Sequence, residues 1–387
     1  MIAKRMTNIP KSFIREILKV ASNPDIISFA GGLPNPGLFP VQEIQEASNK
    51  VFSSDGTSAL QYSTTEGYLA LREYISARYK EKENLDISPD EILITNGSQQ
   101  GLDLLGKVLI DDNDGVIIEK PGYLGAIQAF SMYNPEFYPV SLENDGVDMK
   151  ELTTIIENNA VKLFYGIPNF QNPSGVTYST EKREQIAQLL DKRNVLFIED
   201  NPYGELRFMG GTKKSIKSYL PDSVLLGSFS KIVSPSLRLG WIAAPQTILE
   251  KCIIAKQASD LHTNYLSQRI LYQYLTDNNL DNHISKITAT YKMQRDIMVQ
   301  SINTFFPGNI EYTKPEGGMF LWITLPNGMS AMKLFERAIE KGVAFVPGKP
   351  FYVNDNSDTT LRLNFSNVTG ENIQKGIEIM SKIIRFD

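Results

Sequence analysis

The sequence has few of the side chains that bind metal ions or form disulfides. Among 387 residues there are one cysteine, Cys252, and two histidines, His262 and His283. One cysteine cannot form an intrachain disulfide, which favours a reducing compartment, so we expect a cytoplasmic protein. So few ligands also make a His/Cys metal site and a Ser-His-Asp hydrolase poor hypotheses, and we expect no metal. If the chain is an enzyme, we expect an organic cofactor to supply its reactive group.

Long apolar runs and an excess of positive charge are also missing. No run reaches the roughly 18–20 apolar residues needed to cross a bilayer, and charged residues interrupt the N-terminal apolar stretch, unlike in a signal peptide. The formal net charge of −5 argues against a broad nucleic-acid-binding surface. We therefore expect neither a membrane nor a nucleic acid as a partner. The apolar content of 42% and charged content of 21% are typical of a folded, soluble protein.

Short apolar segments recur along the first two thirds of the chain, with helical patterns between them. Within residues 179–194, Ile186, Leu189 and Leu190 keep the spacing of an amphipathic helix, with charged residues opposite. Strands that alternate with such helices predict an α/β fold with a mostly parallel central sheet. The predicted strands are EILIT (91–95), GVIIE (115–119), VKLFYG (161–166), NVLFIED (194–200), SVLLGS (223–228) and LGWIAA (239–244).

The last hundred residues have a different pattern. A chain of this length commonly forms two domains. From about residue 285, a long polar helical region leads into "GGMFLWITL" and "TLRLNFS", which a helix-like segment separates. This order predicts a smaller α+β domain. We assign residues 46–284 to a large domain, and residues 1–45 and 285–387 to an N-terminal segment plus a small C-terminal domain.

Polar residues follow the ends of five predicted strands. Ligands of a parallel sheet bind outside the carboxyl ends of its strands, so these residues are candidates for a single site. A glycine turn after the first strand opens a helix whose free N–H groups form an anion site. The candidates are Ser98 and Gln99 at the start of this helix, Tyr123, Asn172, Asp200 with Tyr203, and Ser228, Ser230 and Lys231, with Arg238 seven residues further on.

A pyridine aldehyde that carries a phosphate, pyridoxal 5′-phosphate, suits all of these groups. Lys231 can condense with the aldehyde as a Schiff base. An ionised Asp200 can keep the ring nitrogen protonated, so that the ring accepts electrons. Tyr123 can stack on the ring, and Asn172 and Tyr203 can hydrogen-bond its oxygen. The groups expected to hold the phosphate are Ser98, Gln99, Ser228, Ser230 and Arg238.

Each candidate also has a structural alternative. Asp200 and Ser98 could be helix caps that bind no ligand. Tyr123 and Tyr203 could be ordinary amphipathic wall residues. Taken alone, Lys231 could be a surface lysine. The convergence of five strand ends favours the binding site over these alternatives.

The chain resembles the fold-type I pyridoxal-phosphate aminotransferases of class I and II, and within them the 2-aminoadipate and kynurenine aminotransferase subgroup. The resemblance spans nearly the whole chain, and its blocks stand in the expected order. These blocks are "SFAGGLPNPGLFP", "QYSTTEGYLALREYI", "TNGSQQGLDLLGK", "PNFQNPSGVTYS", "EDNPYGEL", "GSFSKIVSPSLRLGW", "KQASDLHTN", "PEGGMFLW", "GVAFVPGKPFY" and "LRLNFS".

The resemblance implies further roles that the residue pattern does not give. It implies a homodimer with the active site at the subunit interface, where Tyr62 reaches the phosphate held by the partner. It also implies that Arg362 binds the substrate α-carboxylate with help from Asn172. Gly32 and Leu33 would lie on the N-terminal segment that covers the substrate.

The implied reaction moves an amino group from an L-amino acid to 2-oxoglutarate by a ping-pong mechanism, with Lys231 as general base and acid. The donor stays open between 2-aminoadipate, an aromatic amino acid, leucine and others. Arg15 matches a position where 2-aminoadipate-type members carry an arginine for the distal carboxylate, but it could equally lie on a solvated helix face.

Two alternatives to amino-group transfer remain. A β-lyase or a decarboxylase could use the same lysine and cofactor. The subgroup also resembles the effector domains of certain bacterial transcription regulators. We do not favour a regulator, because only about thirty residues precede "SFAGGLP", too few for a winged helix.

Overall fold

A computed structural model describes residues 23–326, 328–355 and 357–385, together with Ile2, Met6 and Ile17. The strands are β1 (Ile27–Ser28), β2 (Ile92–Thr95), β3 (Gly115–Lys120), β4 (Glu136–Glu143), β5 (Gly146–Val147), β6 (Val161–Gly166), β7 (Leu196–Asp200), β8 (Val224–Ser228), β9 (Gly240–Ala243), β10 (Glu311–Tyr312), β11 (Phe320–Thr324), β12 (Val343–Ala344), β13 (Val346–Pro347) and β14 (Thr360–Asn364). The α-helices are α1 (Val41–Ala59), α2 (Leu69–Glu83), α3 (Ser98–Leu109), α4 (Leu124–Ser131), α5 (Met149–Asn158), α6 (Thr180–Arg193), α7 (Gln246–Gln257), α8 (Tyr265–Asp277), α9 (Leu280–Phe305), α10 (Ala331–Glu340) and α11 (Gly370–Ile384). Short 3₁₀ turns lie at Pro36–Leu38, Pro89–Glu91, Ile216–Ser218, Pro235–Leu237 and Lys349–Phe351.

Eight strands form the large sheet, in the order β2-β9-β8-β7-β6-β3-β4-β5. Five adjacent strands of this sheet run parallel to one another: β8, β7, β6, β3 and β4. Strand β9 is antiparallel to both of its neighbours. The residues of β2, β8 and β9 are all buried, as expected for apolar strands of a sheet that is covered on both faces. The predicted α/β class with a mostly parallel sheet is confirmed.

The predicted helix within residues 179–194 is α6. The side chain of Ser179 accepts a hydrogen bond from the Lys182 amide at 3.2 Å and so caps the first turn. Asn194 ends the helix in the left-handed conformation, with a φ of 52°. Ile186 and Leu190 of this helix are fully buried, in one apolar cluster with Phe164 and Phe197 of the sheet, as the spacing predicted.

The last hundred residues contain a four-stranded antiparallel sheet in the order β10-β11-β14-β13. The N-terminal strand β1 pairs in parallel with β12, with Ile27 opposite Val343. This pairing ties the segment around residue 30 to the C-terminal part of the chain. The proposed division between residues 284 and 285 falls inside α9, and the domain boundaries stay a prediction.

Within the ranges given above, no helix is both long enough and apolar enough to span a bilayer.

Candidate active site

A cavity of about 570 Å³ lies at the edge of the large sheet where β2, β6, β7 and β8 have their carboxyl ends. This is the position at which a parallel α/β sheet binds its ligands. Strand β14 of the small sheet contributes one wall through Arg362. The predicted site residues that line the cavity are Gly32, Ser98, Gln99, Tyr123, Asn172, Asp200, Tyr203, Ser228, Ser230, Lys231, Arg238 and Arg362.

Lys231 follows β8 and is half-buried in the cavity wall. Its Nζ donates a hydrogen bond to the Gly32 carbonyl oxygen at 2.9 Å. Burial lowers the pKa of Lys231 to about 8, and the positive charges of Arg362 and Arg238 act in the same direction. A fraction of this amine is therefore neutral, and nucleophilic, near neutral pH.

Asp200 is the last residue of β7 and is 1% exposed. The Tyr165 hydroxyl donates a hydrogen bond to its Oδ2 at 2.7 Å. The other oxygen, Oδ1, is buried and has no hydrogen-bond partner among the described residues. Burial raises the pKa of Asp200 to about 6, against the opposing effect of the Tyr165 hydrogen bond. A buried acceptor without a donor fits a protonated pyridine nitrogen.

Arg362 is 4% exposed and reaches the cavity from β14. Its two terminal nitrogens donate to Asn172 Oδ1 and to the Ala30 carbonyl oxygen, each at 2.8 Å. The guanidinium carbon lies 4.3 Å from the centre of the Phe320 ring. Burial lowers the pKa of Arg362 to about 10, and its Nε is buried without a partner among the described residues. This arrangement leaves a buried cation available to a carboxylate ligand.

Asn172 connects Arg362 to Tyr203. Its side-chain nitrogen donates to the Tyr203 hydroxyl at 3.3 Å, while its oxygen accepts from Arg362. The Tyr203 ring in turn packs edge-on against Phe320, with centroids 5.8 Å apart. Burial raises the pKa of Tyr203 well above its usual value, so the hydroxyl stays protonated and can act as a donor.

The start of α3 faces the cavity with the free N–H groups of its first turn. Gly97 precedes it with a φ of 74°, and a Cβ at this position would lie 2.8 Å from an Arg238 guanidinium nitrogen. That nitrogen donates to the Asn96 carbonyl oxygen at 3.1 Å. The Ser228 hydroxyl accepts from the Ser230 amide at 3.1 Å. Helix N–H groups, hydroxyls and a guanidinium form a cradle that fits a phosphate.

Tyr123 stands at the start of α4, where a close glycine makes room for its ring. A Cβ on Gly125 would lie 2.6 Å from this ring. The Gln99 side chain donates to the Gly125 carbonyl oxygen at 3.0 Å. Burial raises the pKa of Tyr123 to about 12, so its ring presents a neutral face to the cavity.

Two residues named from the resemblance do not line the cavity, and a third cannot be placed. Tyr62 is 78% exposed, and its ring meets the edge of His262 at a centroid distance of 5.8 Å. Leu33 is 53% exposed, although its carbonyl oxygen accepts from the Ser366 hydroxyl at 2.9 Å. Arg15 lies outside the described residues.

Sequence reasoning missed several residues of the site. Tyr165, which binds Asp200, lies inside a buried strand and reads as ordinary core. Phe320 lies in the block "GGMFLW" but has no polar group that would mark it. Helix α4 contributes Leu124 and Gln128 to the wall. Their spacing of four along a helix was a usable signal, because it places them on one face.

A lysine, a buried carboxylate and a phosphate cradle at the carboxyl edge of a mostly parallel sheet define a pyridoxal-phosphate enzyme of fold type I. The family of class I and II aminotransferases matches residues 24–380, and the chain belongs to this family. The expected class, fold, cofactor and amino-group transfer are confirmed.

Three relatives illustrate the similarity. Aromatic-amino-acid aminotransferase 1 of Thermococcus litoralis is 42% identical, with 99% of this chain and 94% of the relative covered. The solved kynurenine aminotransferase of Pyrococcus horikoshii, in complex with PMP, is 39% identical with a TM-score of 0.96, over 100% of this chain and 97% of its own. The alpha-aminoadipate aminotransferase of Thermus thermophilus, complexed with N-(5'-phosphopyridoxyl)-L-leucine, is 37% identical with a TM-score of 0.93, over the same shares.

Proposed function

We propose that this aminotransferase takes the amino group of an L-amino acid and gives it to 2-oxoglutarate, with pyridoxal 5′-phosphate held in the cavity described above. This proposal rests on one observation: two buried polar groups line the same cavity, and each has an atom that lacks a hydrogen-bond partner among the described residues. Asp200 offers a buried oxygen without a donor, and Arg362 offers a buried cation without a carboxylate among the described residues. The first suits the cofactor ring and the second suits an amino acid.

We assign the cofactor contacts as follows. Asp200 Oδ1 would accept from the ring nitrogen and keep it protonated. Tyr123 would stack on the ring, and Tyr203 and Asn172 would donate to its oxygen. The phosphate contacts would come from Ser98, Gln99, Ser228, Ser230 and Arg238.

We assign the transfer of the α-proton of the amino acid to Lys231. When bound, pyridoxal phosphate supplies an aldehyde that receives the amino group and a ring that accepts the electron pair left by the α-proton. Lys231 can take that proton at Nζ, because its pKa of about 8 leaves part of the amine neutral. The same nitrogen, once protonated, can return the proton to a neighbouring carbon.

Arg362 and Asn172 would bind the α-carboxylate of the amino acid. Arg362 is held in place by the Ala30 carbonyl and by the face of Phe320, so little side-chain freedom is lost when a carboxylate arrives. A fixed carboxylate orients the α-proton relative to Lys231. Gly32, whose carbonyl oxygen accepts from Lys231, would lie with Leu33 on the segment that covers the substrate.

The donor is proposed to be an aromatic amino acid, 2-aminoadipate or leucine. Relatives named for aromatic amino acids, kynurenine and alpha-aminoadipate support this range. Arg15 would bind the distal carboxylate of an acidic donor. We further propose a cytoplasmic homodimer in which Tyr62, exposed on one protomer, reaches the phosphate held by the other.

A half-reaction tests the proposal. The cofactor-loaded enzyme is mixed with single amino acids in the absence of a 2-oxo acid, and absorbance is followed near about 400 nm, where the lysine-bound cofactor is expected to absorb. Productive donors should remove this band, and 2-oxoglutarate should restore it. Arg15→Ala should remove the response to acidic donors alone. A β-lyase or decarboxylase would release its product without needing 2-oxoglutarate, and an enzyme unresponsive to every amino acid would overturn the proposal.

A further inference from the structure

Glu119 is a buried carboxylate close to the cavity but not part of its wall. It is the second-last residue of β3 and is 1% exposed. Oε1 accepts from the Ile167 amide at 3.0 Å and from the Tyr178 hydroxyl at 2.6 Å. Oε2 accepts from Gln171 Nε2 at 3.0 Å. All three donors belong to residues 167–178, which connect β6 to α6 and which we call the Asn172 loop.

Gln171 connects Glu119 to the next residue of the loop, Asn172. Besides Glu119, its Nε2 donates to the Pro121 carbonyl oxygen at 2.8 Å, and its Oε1 accepts from the Ser174 amide at 2.7 Å. Both the amide nitrogen and the amide oxygen of Gln171 therefore have hydrogen-bond partners within the protein. Since it directly precedes Asn172 in the chain, its position fixes where the Asn172 backbone begins.

The Asn172 loop needs such an anchor because its backbone is strained. Phe170 has a φ of 51°, a conformation that non-glycine residues adopt at a cost in free energy and keep only where surrounding contacts enforce it. The buried Arg183 also holds the loop, because it donates to the Pro168 carbonyl oxygen and to Asn169 Oδ1, each at 2.8 Å. Glu119 and Arg183 thus anchor the loop at different residues.

We propose that Glu119 is a positioning residue for substrate binding, because it holds the Asn172 loop so that the Asn172 side chain meets both Arg362 and Tyr203. This inference rests on the proposed function, in which Arg362 and Asn172 bind the substrate carboxylate. Glu119 itself contacts neither the cavity nor, in this proposal, the substrate. Its effect is therefore expected mainly on substrate affinity, with a smaller effect on the cofactor, to which Asn172 would supply one of several contacts.

The test is Glu119→Gln, which keeps the size of the side chain and replaces one acceptor oxygen with a donor. Three donors point at this group, so the new amide N–H₂ must face one of them, and the loop has to shift. Two values are measured: the KM for the best amino donor of the wild type, and the dissociation constant of the same acid without its amino group. Both are expected to rise about tenfold, as for a displaced binding group, while the dissociation constant of pyridoxal phosphate, which keeps its other proposed contacts when Asn172 moves, should rise less.

Gln294→Leu is the matched control, because Gln294 is a buried amide in α9 that donates to the Val368 carbonyl oxygen at 2.8 Å. It should lower the melting temperature without changing either substrate constant. If Glu119→Gln does not fold, Gln171→Leu removes the same link and leaves two donors on Glu119; the same rise in both constants is expected. A lower melting temperature with unchanged carboxylate affinity in these variants would overturn the inference. Failure of the wild type to react with any amino acid would instead overturn the proposed function.

Discussion

Tyr165→Phe offers a direct measure of how the protein controls the charge of Asp200. The Tyr165 hydroxyl lies 2.7 Å from Asp200 Oδ2, and both groups are buried. A hydrogen bond to a charged acceptor contributes about 1.5–3 kcal/mol, which corresponds to about 1–2 pKa units at 1.36 kcal/mol per unit. Removing this donor should therefore raise the pKa of Asp200 from about 6 to about 7–8 in the cofactor-free protein.

The assay is the affinity of the cofactor-free protein for pyridoxal phosphate between pH 5 and pH 9. Only ionised Asp200 can accept from a protonated ring nitrogen, so affinity should fall as the carboxylate becomes protonated on the acid side. A higher pKa moves this fall to higher pH, and the midpoint should shift upward by about 1–2 pH units in Tyr165→Phe.

Tyr178→Phe is the matched control for this experiment. Tyr178 is also fully buried, and its hydroxyl donates to the carboxylate of Glu119 at 2.6 Å, outside the cavity. Its loss should leave the midpoint where it is in the wild type. Equal midpoints in Tyr165→Phe and the wild type would refute the reasoning, because they would mean that the hydroxyl does not stabilise the ionised carboxylate.

Three further predictions concern the cofactor-free protein. Gly97→Ala should weaken pyridoxal phosphate binding about tenfold, measured by titration, since a φ of 74° with a ψ of 166° is essentially restricted to glycine and costs another residue about 1–3 kcal/mol, and the new Cβ would press on the Arg238 guanidinium. The rate of cofactor capture should rise with pH to a plateau with a midpoint near the Lys231 pKa of about 8, because only the neutral amine attacks; a flat profile would contradict this. Burial raises the pKa of Glu119 and of Glu199 to about 7, above their unfolded values, so the folded state binds more protons than the unfolded state between about pH 5 and 7. The free energy of unfolding in urea should therefore fall as pH rises through this range, and a rise would show that these carboxyls are not buried as described.

The cavity wall at the edge of the large sheet could be predicted because it follows from one topological fact. Parallel strands deliver the residues that follow them to one edge of the sheet. The apolar segments were readable as strands, so the polar residues after them, such as Asp200 and Lys231, could be grouped into one site before any contact was known. Strand β4 was missed because Glu136–Glu143 mixes polar and apolar residues and has only one fully buried position.

Arg362 could not be placed in this way. It belongs to a second sheet, and its contact with Asn172 spans 190 residues. Spacing along the chain carries no information about such a contact, so the resemblance alone suggested it. Tyr165 was not predicted for another reason. Its contact with Asp200 depends on the register between β6 and β7, which pairs Tyr165 with Ile198. A pattern of apolar residues does not fix that register.

Two contacts of the site come from backbone atoms of one short segment. The Ala30 carbonyl accepts from Arg362, and the Gly32 carbonyl accepts from Lys231. Every residue type carries the same carbonyl, so side chains nearby can change without removing either acceptor. Gly32 is constrained, since a Cβ there would lie 3.1 Å from the Phe320 ring. Substitutions in this segment can thus change its side chains, and in the proposed function its preference among amino acids, while both backbone acceptors and their contacts with Lys231 and Arg362 are kept.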